Sequence, residues 1–167
     1  IFGAEAGIVS PNILSGTHAL TVGLFGVLCT GDTLFSIAGD PYDTLHEVIA
    51  GKGIGSLADY GIAFKKCDLR QGEFDYDGIR AGLSDPSVKV VFIQRSRGYE
   101  WRDALSQKQI AAACAFVREC GFAGCIFVDN CYGEFVEETE PTQNGADVAV
   151  GSLIKNPGGG IAPTGGY

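Results

Sequence analysis

The sequence contains no methionine, one tryptophan and two histidines, and it has only 12 lysines and arginines against 20 aspartates and glutamates. The net charge of −8 argues against a nucleic-acid-binding surface, because such a surface needs clustered basic residues. No apolar run is long enough to cross a bilayer. The nearest, "HALTVGLFGVLCTGD" (18–32), is typical of a buried helix. We therefore expect neither a nucleic acid nor a membrane as partner.

The six cysteines form no Cys-x-x-Cys pair, and no histidine lies near them at the spacing of zinc ligands. Several lie within apolar patterns, where a thiol behaves as a small hydrophobic group. We therefore expect reduced thiols, a cytoplasmic location and no metal site. The acidic run "EFVEETEP" (134–141) is interpreted as solvated surface rather than as a set of metal ligands.

A chain of 167 residues with 46% hydrophobic and 19% charged residues is ordinary for one globular domain. It begins at Ile1 and stops at Tyr167, directly after a loop rich in glycine and proline. Neither end has the character of a natural terminus. We therefore expect the chain to be a piece of a longer protein.

Short apolar runs alternate with helical patterns along the chain. Strands are predicted at 33–38, 61–67, 88–94, 124–129 and 147–152. Helices are predicted at 15–28, 75–84 and 106–120. Short strands joined through helices indicate a mostly parallel sheet that is buried on both faces. The predicted fold class is α/β, with three layers and helices on both faces of the sheet.

Four polar or aromatic features lie where such a sheet would bind a ligand, beyond the carboxyl ends of its strands. They are the helix start Ser15–Gly16–Thr17, then Tyr42 after the strand 33–38, Asp129 at the end of "CIFVD", and Lys155 after the last strand. Taken singly, each has an ordinary structural interpretation: a helix cap, a turn tyrosine, a capping or salt-bridged aspartate, or a surface lysine.

The order of these four features favours one cofactor, pyridoxal 5'-phosphate (PLP). PLP requires a bound phosphate, a stacked ring, a carboxylate beside its pyridine nitrogen and a lysine that forms a Schiff base with its aldehyde. Two nucleotide-binding motifs do not match the sequence. The glycines of "GSLIKNPGGG" follow the lysine instead of preceding it, and "GKGIGS" lacks the G-x-G-x-x-G spacing.

Three segments carry a family resemblance: "IQRSRGYEWR", "VDNCYGEFVEETEP" and "GSLIKNPGGGIAPTGGY". The chain resembles the fold-type I PLP-dependent enzymes of cysteine and methionine metabolism, which have an aminotransferase-like fold. Within this group it is most similar to the branch of aluminium-resistance proteins and candidate cystathionine beta-lyases, which is close to methionine gamma-lyase. The resemblance covers essentially the whole chain, as the central part of the large PLP-binding domain.

The resemblance implies a role for each of the residues that would contact the ring. Lys155 corresponds to the lysine that forms the Schiff base and moves protons. Asp129 corresponds to the partner of the pyridine nitrogen. Tyr42 corresponds to the tyrosine that stacks on the ring and takes part in proton transfer.

Four further residues are implied to bind other parts of the cofactor. Gly16 and Thr17 correspond to donors of backbone N–H groups to the phosphate, and Ser152 to a serine that hydrogen-bonds the same group. Tyr132 corresponds to a tyrosine that reaches the phenolic oxygen of the cofactor in related aminotransferases.

The sequence also departs from the family pattern. Ile154 precedes the lysine where a hydroxyl residue is common, and "QRSRGY" replaces an asparagine-bearing segment, which leaves the roles of Gln94 and Arg97 open. The family's N-terminal segment, and its small C-terminal domain with the arginine that binds the substrate carboxylate, lie outside residues 1–167. We therefore expect this piece to be inactive by itself.

The resemblance implies a carbon–sulfur lyase acting on a sulfur-containing amino acid of the cystathionine or methionine type, in a homodimer or homotetramer. Two alternatives stay open. One is a different reaction of the same cofactor, such as transamination or racemisation. The other is a catalytically inactive PLP-binding protein of stress resistance.

Overall fold

Strands and helices alternate through residues 2–167, the part of the chain that the computed structural model describes. Five strands form a single sheet in the order β2-β1-β3-β4-β5, and each neighbouring pair is parallel. The strands are β1 Thr33–Ser36, β2 Ala63–Lys66, β3 Val88–Gln94, β4 Cys125–Asp129 and β5 Val148–Val150. The mostly parallel sheet predicted from the sequence is confirmed.

Two helices cover each face of the sheet. The helices are α1 Gly16–Val27, α2 Asp43–Ala50, α3 Tyr76–Leu83 and α4 Gln107–Glu119, and a short 3₁₀ turn spans Pro141–Asn144. Side chains of α1 and α2 share one apolar core with Val90, Phe92 and Phe127 of the sheet. Side chains of α3 and α4 share a second core, on the opposite face of the sheet, with Val91 and Ile126. The three-layer α/β architecture is therefore confirmed.

Strand β3 lies at the centre of the sheet, and its sequence explains why. "VKVVFIQ" contains a β-branched or aromatic residue at most positions, and every one of its residues except Lys89 is buried. Such a run satisfies the demand of a central parallel strand, which must place apolar groups on both faces.

The predicted starts of two helices are confirmed, because the predicted capping serines form capping hydrogen bonds. The Ser15 hydroxyl accepts a hydrogen bond from the N–H of His18 at 3.1 Å. Ser106 and Gln109 form a reciprocal capping box at the start of α4. Gly121, with a φ of +82°, lies just after the end of α4, where a left-handed residue is favoured.

Three parts of the fold differ from the sequence-based expectation. Helix α2 was not predicted, since its N-cap is Tyr42, which makes no side-chain capping bond. Helix α1 is buried on one face only, and Val22, Phe25 and Val27 are exposed. The strand predicted at 88–94 has the predicted bounds, whereas the other four strands are shorter than predicted, so that β1 ends at Ser36 rather than at residue 38.

None of the helices in residues 2–167 is long and apolar enough to cross a membrane.

Two glycines of α1 give a matched test of the packing between this helix and the sheet. A Cβ at Gly23 would lie 2.7 Å from Cζ of Phe127, whereas a Cβ at Gly26 would have nothing within 4 Å. We expect Gly26→Ala to raise the free energy of unfolding by about 0.5–1 kcal/mol, through helix propensity. We expect Gly23→Ala to lower it by about 1–3 kcal/mol, through overpacking against β4. Denaturant unfolding of both variants measures the difference, and equal effects would contradict this packing.

Candidate active site

A pocket lies at the carboxyl edge of the sheet, between the elements that follow β1, β3 and β4. The chain runs outward from β1 to β2 and, in the other direction, from β3 through β4 to β5. The connections therefore diverge between β1 and β3, which is where open α/β sheets form a ligand crevice. The pocket, called here the edge pocket, has a volume of about 280 Å³. Six of the seven predicted site residues line it: Gly16, Thr17, Tyr42, Asp129, Tyr132 and Lys155.

Asp129 is the most deeply buried charged group of the edge pocket, with an exposed fraction of 1%. One carboxylate oxygen, Oδ1, accepts a hydrogen bond from the N–H of Cys131 at 3.0 Å. The other, Oδ2, is buried and has no hydrogen-bond partner in the described residues. A buried carboxylate oxygen without a partner costs about 1–3 kcal/mol or more, so this atom is suited to receive a donor from a ligand.

Burial also controls the protonation of this carboxyl group. Loss of hydration raises the pKa of Asp129 from 3.8 to about 6, against the opposing effects of the Cys131 N–H and the positive charge of Lys155. A carboxyl group with a strongly raised pKa in a ligand pocket is characteristic of functional sites. A protonated nitrogen donor placed at Oδ2 would favour the ionised form and reverse this shift.

Lys155 and Tyr132 lie together in the wall of the edge pocket. The ammonium group of Lys155 lies 4.1 Å from the centre of the Tyr132 ring, and it donates a hydrogen bond to the Tyr132 hydroxyl. Tyr132 has a φ of +68°, a left-handed conformation that is strained for a residue with a side chain. This turn lies three residues beyond the end of β4 and places the Tyr132 ring beside Lys155.

The start of α1 presents backbone donors to the edge pocket. The N–H groups of Gly16 and Thr17 make no hydrogen bond within residues 2–167. A Cβ at position 16 would lie 3.0 Å from Sγ of Cys131 and 3.2 Å from Cβ of Ser152, so the absence of a side chain allows the helix to approach the sheet. Free N–H groups and the positive end of the helix dipole together favour an anion such as phosphate.

Tyr42 connects this helix start to the middle of the sheet. Its hydroxyl is hydrogen-bonded to the hydroxyl of Thr17 at 2.9 Å, and its backbone N–H donates to Oε1 of Gln94 at 2.8 Å. Burial raises the pKa of the Tyr42 hydroxyl above its ordinary value, so the group keeps its proton at neutral pH. Gln94, whose role was open, therefore positions Tyr42 from the end of β3.

Ser152 is the one predicted site residue that does not line the edge pocket. It is completely buried, and its hydroxyl accepts a hydrogen bond from the N–H of Ile154 at 3.3 Å. It lies behind Gly16, within contact distance of where a side chain there would be. Its role as a phosphate ligand stays a prediction.

The interpretation of the acidic run 134–141 as solvated surface is wrong for two of its members. Glu134 and Glu140 are 1% and 4% exposed. Tyr167 donates to Oε1 of Glu134 at 2.9 Å, and the amide of Asn130 donates to Oε2 of Glu140 at 2.8 Å. Both oxygens of Glu140 accept hydrogen bonds, since Oε1 accepts from the N–H of Phe135, whereas Oε2 of Glu134 has no partner within residues 2–167.

Arg95 completes this buried group and was missed in the sequence. Its guanidinium donates to Oδ1 of Asn130 at 2.9 Å, to the carbonyl of Gly133 at 2.7 Å and to Oε1 of Glu137 at 2.7 Å. The signal that could have found it is the polar pair at the carboxyl end of each central strand, "QR" at the end of β3 and "DN" at the end of β4. Five residues that line the edge pocket were missed as well: Thr44, Ser96, Gly98, Tyr99 and Cys131.

Known proteins resemble the chain in sequence and in fold. The family model for methionine gamma-lyase matches residues 1–167. The uncharacterised protein YnbB of Bacillus subtilis is 52% identical over 171 residues, which cover all of this chain and 40% of that protein. The chain spans about two fifths of the length of the curated relatives it matches.

Two solved structures share both sequence and fold with the chain. One, from Clostridium acetobutylicum, is provisionally named a cystathionine beta-lyase involved in aluminium resistance; it is 50% identical with a TM-score of 0.95, over 99% of this chain and 40% of that one. The other, from Clostridium novyi, is named a carbon-sulfur lyase involved in aluminium resistance; it is 46% identical with a TM-score of 0.93, over the same shares. The resemblance noted in the sequence is thus confirmed, and the chain belongs to the methionine gamma-lyase family.

Proposed function

We propose that the full-length protein is a PLP-dependent carbon–sulfur lyase that acts on a sulfur-containing amino acid. The observation that carries the proposal is the edge pocket, where a lysine amine, a buried carboxyl group with a free oxygen, a tyrosine ring and unpaired N–H groups converge. Membership of the family supports the reaction class, as does the carbon-sulfur lyase name of the Clostridium novyi relative.

The residues present fit PLP. The unpartnered Oδ2 of Asp129 would accept the hydrogen bond of the protonated ring nitrogen. Lys155 would hold the aldehyde carbon through its amine, and the N–H groups of Gly16 and Thr17 would bind the phosphate. Tyr42 would contact the ring from the side of α2. When bound, PLP acts as an electron sink for the α-carbon of an amino acid.

The side chains of the pocket supply the proton transfers that a lyase needs. The amine of Lys155 would act as the general base that removes the α-proton of the substrate. The Tyr42 hydroxyl would take part in proton transfer, as the family resemblance implies, and its hydrogen bond to the Thr17 hydroxyl fixes its orientation. Tyr132, through its contact with Lys155, would hold the amine at this side of the pocket.

Assembly as a homodimer or homotetramer and a cytoplasmic location are further parts of the proposal. The exposed apolar side chains of α1, namely Val22, Phe25 and Val27, support a face that is covered in the assembled protein. All six cysteines are free in the structure, which is consistent with reducing conditions.

Replacing Lys155 tests the assignment of the covalent link. The purified full-length protein is expected to absorb near the edge of the visible range, and borohydride is expected to abolish this band. Lys155→Ala should lack the band and release thiol at least about a hundredfold more slowly, because the base is lost. Lys108→Ala, which removes an exposed lysine of α4, should behave as the wild type. An unchanged band in Lys155→Ala would refute the assignment.

Product analysis separates the lyase from other reactions of the same cofactor. With cystathionine or methionine, a lyase releases a thiol, whereas transamination or racemisation of the same amino acids leaves their carbon–sulfur bonds intact. We expect thiol release and little conversion of alanine. A protein that shows the band but converts none of these amino acids would be a PLP-binding protein without catalysis.

Asp129 creates a conflict between stability and cofactor binding. Its pKa is raised in the folded state, so its stabilising contribution is complete below about pH 4 and is lost as the pH rises through about 6. In the cofactor-free protein, Asp129→Asn should therefore raise the free energy of unfolding by up to roughly 3 kcal/mol at about pH 8, and by little at about pH 4.

The same substitution should weaken cofactor retention, because a neutral amide does not stabilise a protonated ring nitrogen. Denaturant unfolding at both pH values, with the exposed Asp103→Asn as control, measures the first effect. Cofactor-free Asp129→Asn that is less stable than the wild type at the higher pH would contradict the burial argument.

A further inference from the structure

Arg97 is an arginine without an acidic partner beside the edge pocket. Two other arginines of the segment between β3 and α4 are engaged: Arg95 pairs with Glu137 at 2.7 Å, and Arg102 donates to the carbonyl of Ser96 at 2.6 Å. Within residues 2–167, the guanidinium of Arg97 donates no hydrogen bond and forms no salt bridge. The guanidinium lies beside the ring of Trp101, whose centre is 5.6 Å away.

A second cavity of about 510 Å³ adjoins the edge pocket and contains Arg97 in its wall. We call it the side cavity. It shares four lining residues with the edge pocket: Ser96, Gly98, Cys131 and Tyr132. A substrate held at Lys155 could therefore extend its side chain past Tyr132 into the side cavity.

The charges around Arg97 determine where an anion can bind. In the side cavity, Arg95 and Glu137 neutralise each other, so Arg97 is the one charged residue of this wall without an ion pair within residues 2–167. A third cavity, on the other side of Arg97, is lined by four acids: Asp40, Asp43, Glu47 and Glu100. An anion would be repelled there, so a carboxylate bound by Arg97 belongs on the side-cavity face.

The remaining wall of the side cavity is suited to an aliphatic chain. Ala104, Leu105 and Val136 supply apolar surface next to the shared residues. The volume lies within the range of small-molecule sites, and a methyl group alone would leave most of it to water. A cavity wall that combines apolar side chains with a guanidinium matches a short aliphatic stem carrying a carboxylate.

We propose that the side cavity receives the sulfur substituent of the substrate and that Arg97 binds a carboxylate at the end of that substituent. The inference rests on the proposed lyase function and specifies its substrate class, thioether amino acids with a second carboxylate. The ring of Trp101, which is 96% exposed, lies beside this guanidinium and would report on its occupancy.

The test compares two thioethers of nearly equal shape with the full-length holoenzyme. S-carboxymethyl-L-cysteine carries the distal carboxylate, and S-carbamoylmethyl-L-cysteine carries a neutral amide in its place. Arg97→Gln should lower kcat/KM for the carboxylate by about 10- to 100-fold, mainly through KM, because a charge-assisted hydrogen bond is lost. For the amide the change should stay below about threefold. Arg97→Lys should restore part of the loss, and Arg80→Gln on α3 should change neither value.

Equal losses for the two compounds, or no loss for either, would overturn the assignment of Arg97. Trp101 gives a second readout that needs no turnover. Titration with S-carboxymethyl-L-cysteine should change the fluorescence difference between the wild type and Trp101→Phe, and Arg97→Gln should remove this change. A wild type that cleaves no thioether but shows the fluorescence change defeats the lyase proposal alone. Absence of the fluorescence change defeats the Arg97 subsite.

Discussion

The buried carboxyl group of Asp129 is the constraint on which the site depends. It stands at the end of β4 with one oxygen bound to the Cys131 N–H and the other facing no donor of the described residues. A folded chain retains such a group against its desolvation penalty only where the rest of the structure enforces it. The neighbouring sheet enforces it here, since Asp129 is paired in register with Gln94 of β3. The pocket is therefore prepared for a cationic donor before any ligand arrives.

The strands and most of the helices could be predicted from the sequence, because they depend on local patterns. The β-branched run of β3, the Ser15 cap and the Ser106 capping box are all read within a few residues. The rule that ligands bind beyond the carboxyl ends of parallel strands then brought Tyr42, Asp129 and Lys155 to one edge.

What the sequence did not reveal depends on partners that are distant along the chain. The start of α2 is held by the bond between the Tyr42 N–H and Gln94, 52 residues apart, in place of a local cap. Glu134 is buried because the Tyr167 hydroxyl, 33 residues later, donates to it. No periodicity or spacing encodes such pairs. The left-handed turn at Tyr132 was equally hidden, since nothing in the residue type favours it.

The arginines after β3 show how one segment serves both structure and recognition. Arg95 is 3% exposed and is engaged with Asn130, Gly133 and Glu137, so it fixes the loop that carries Tyr132. Two residues later, Arg97 faces a cavity and forms no salt bridge within residues 2–167. Removing a buried paired charge would disrupt the fold, whereas an exposed unpaired charge is free to select a ligand. A rigid loop and an available cation are thus consequences of the same short segment.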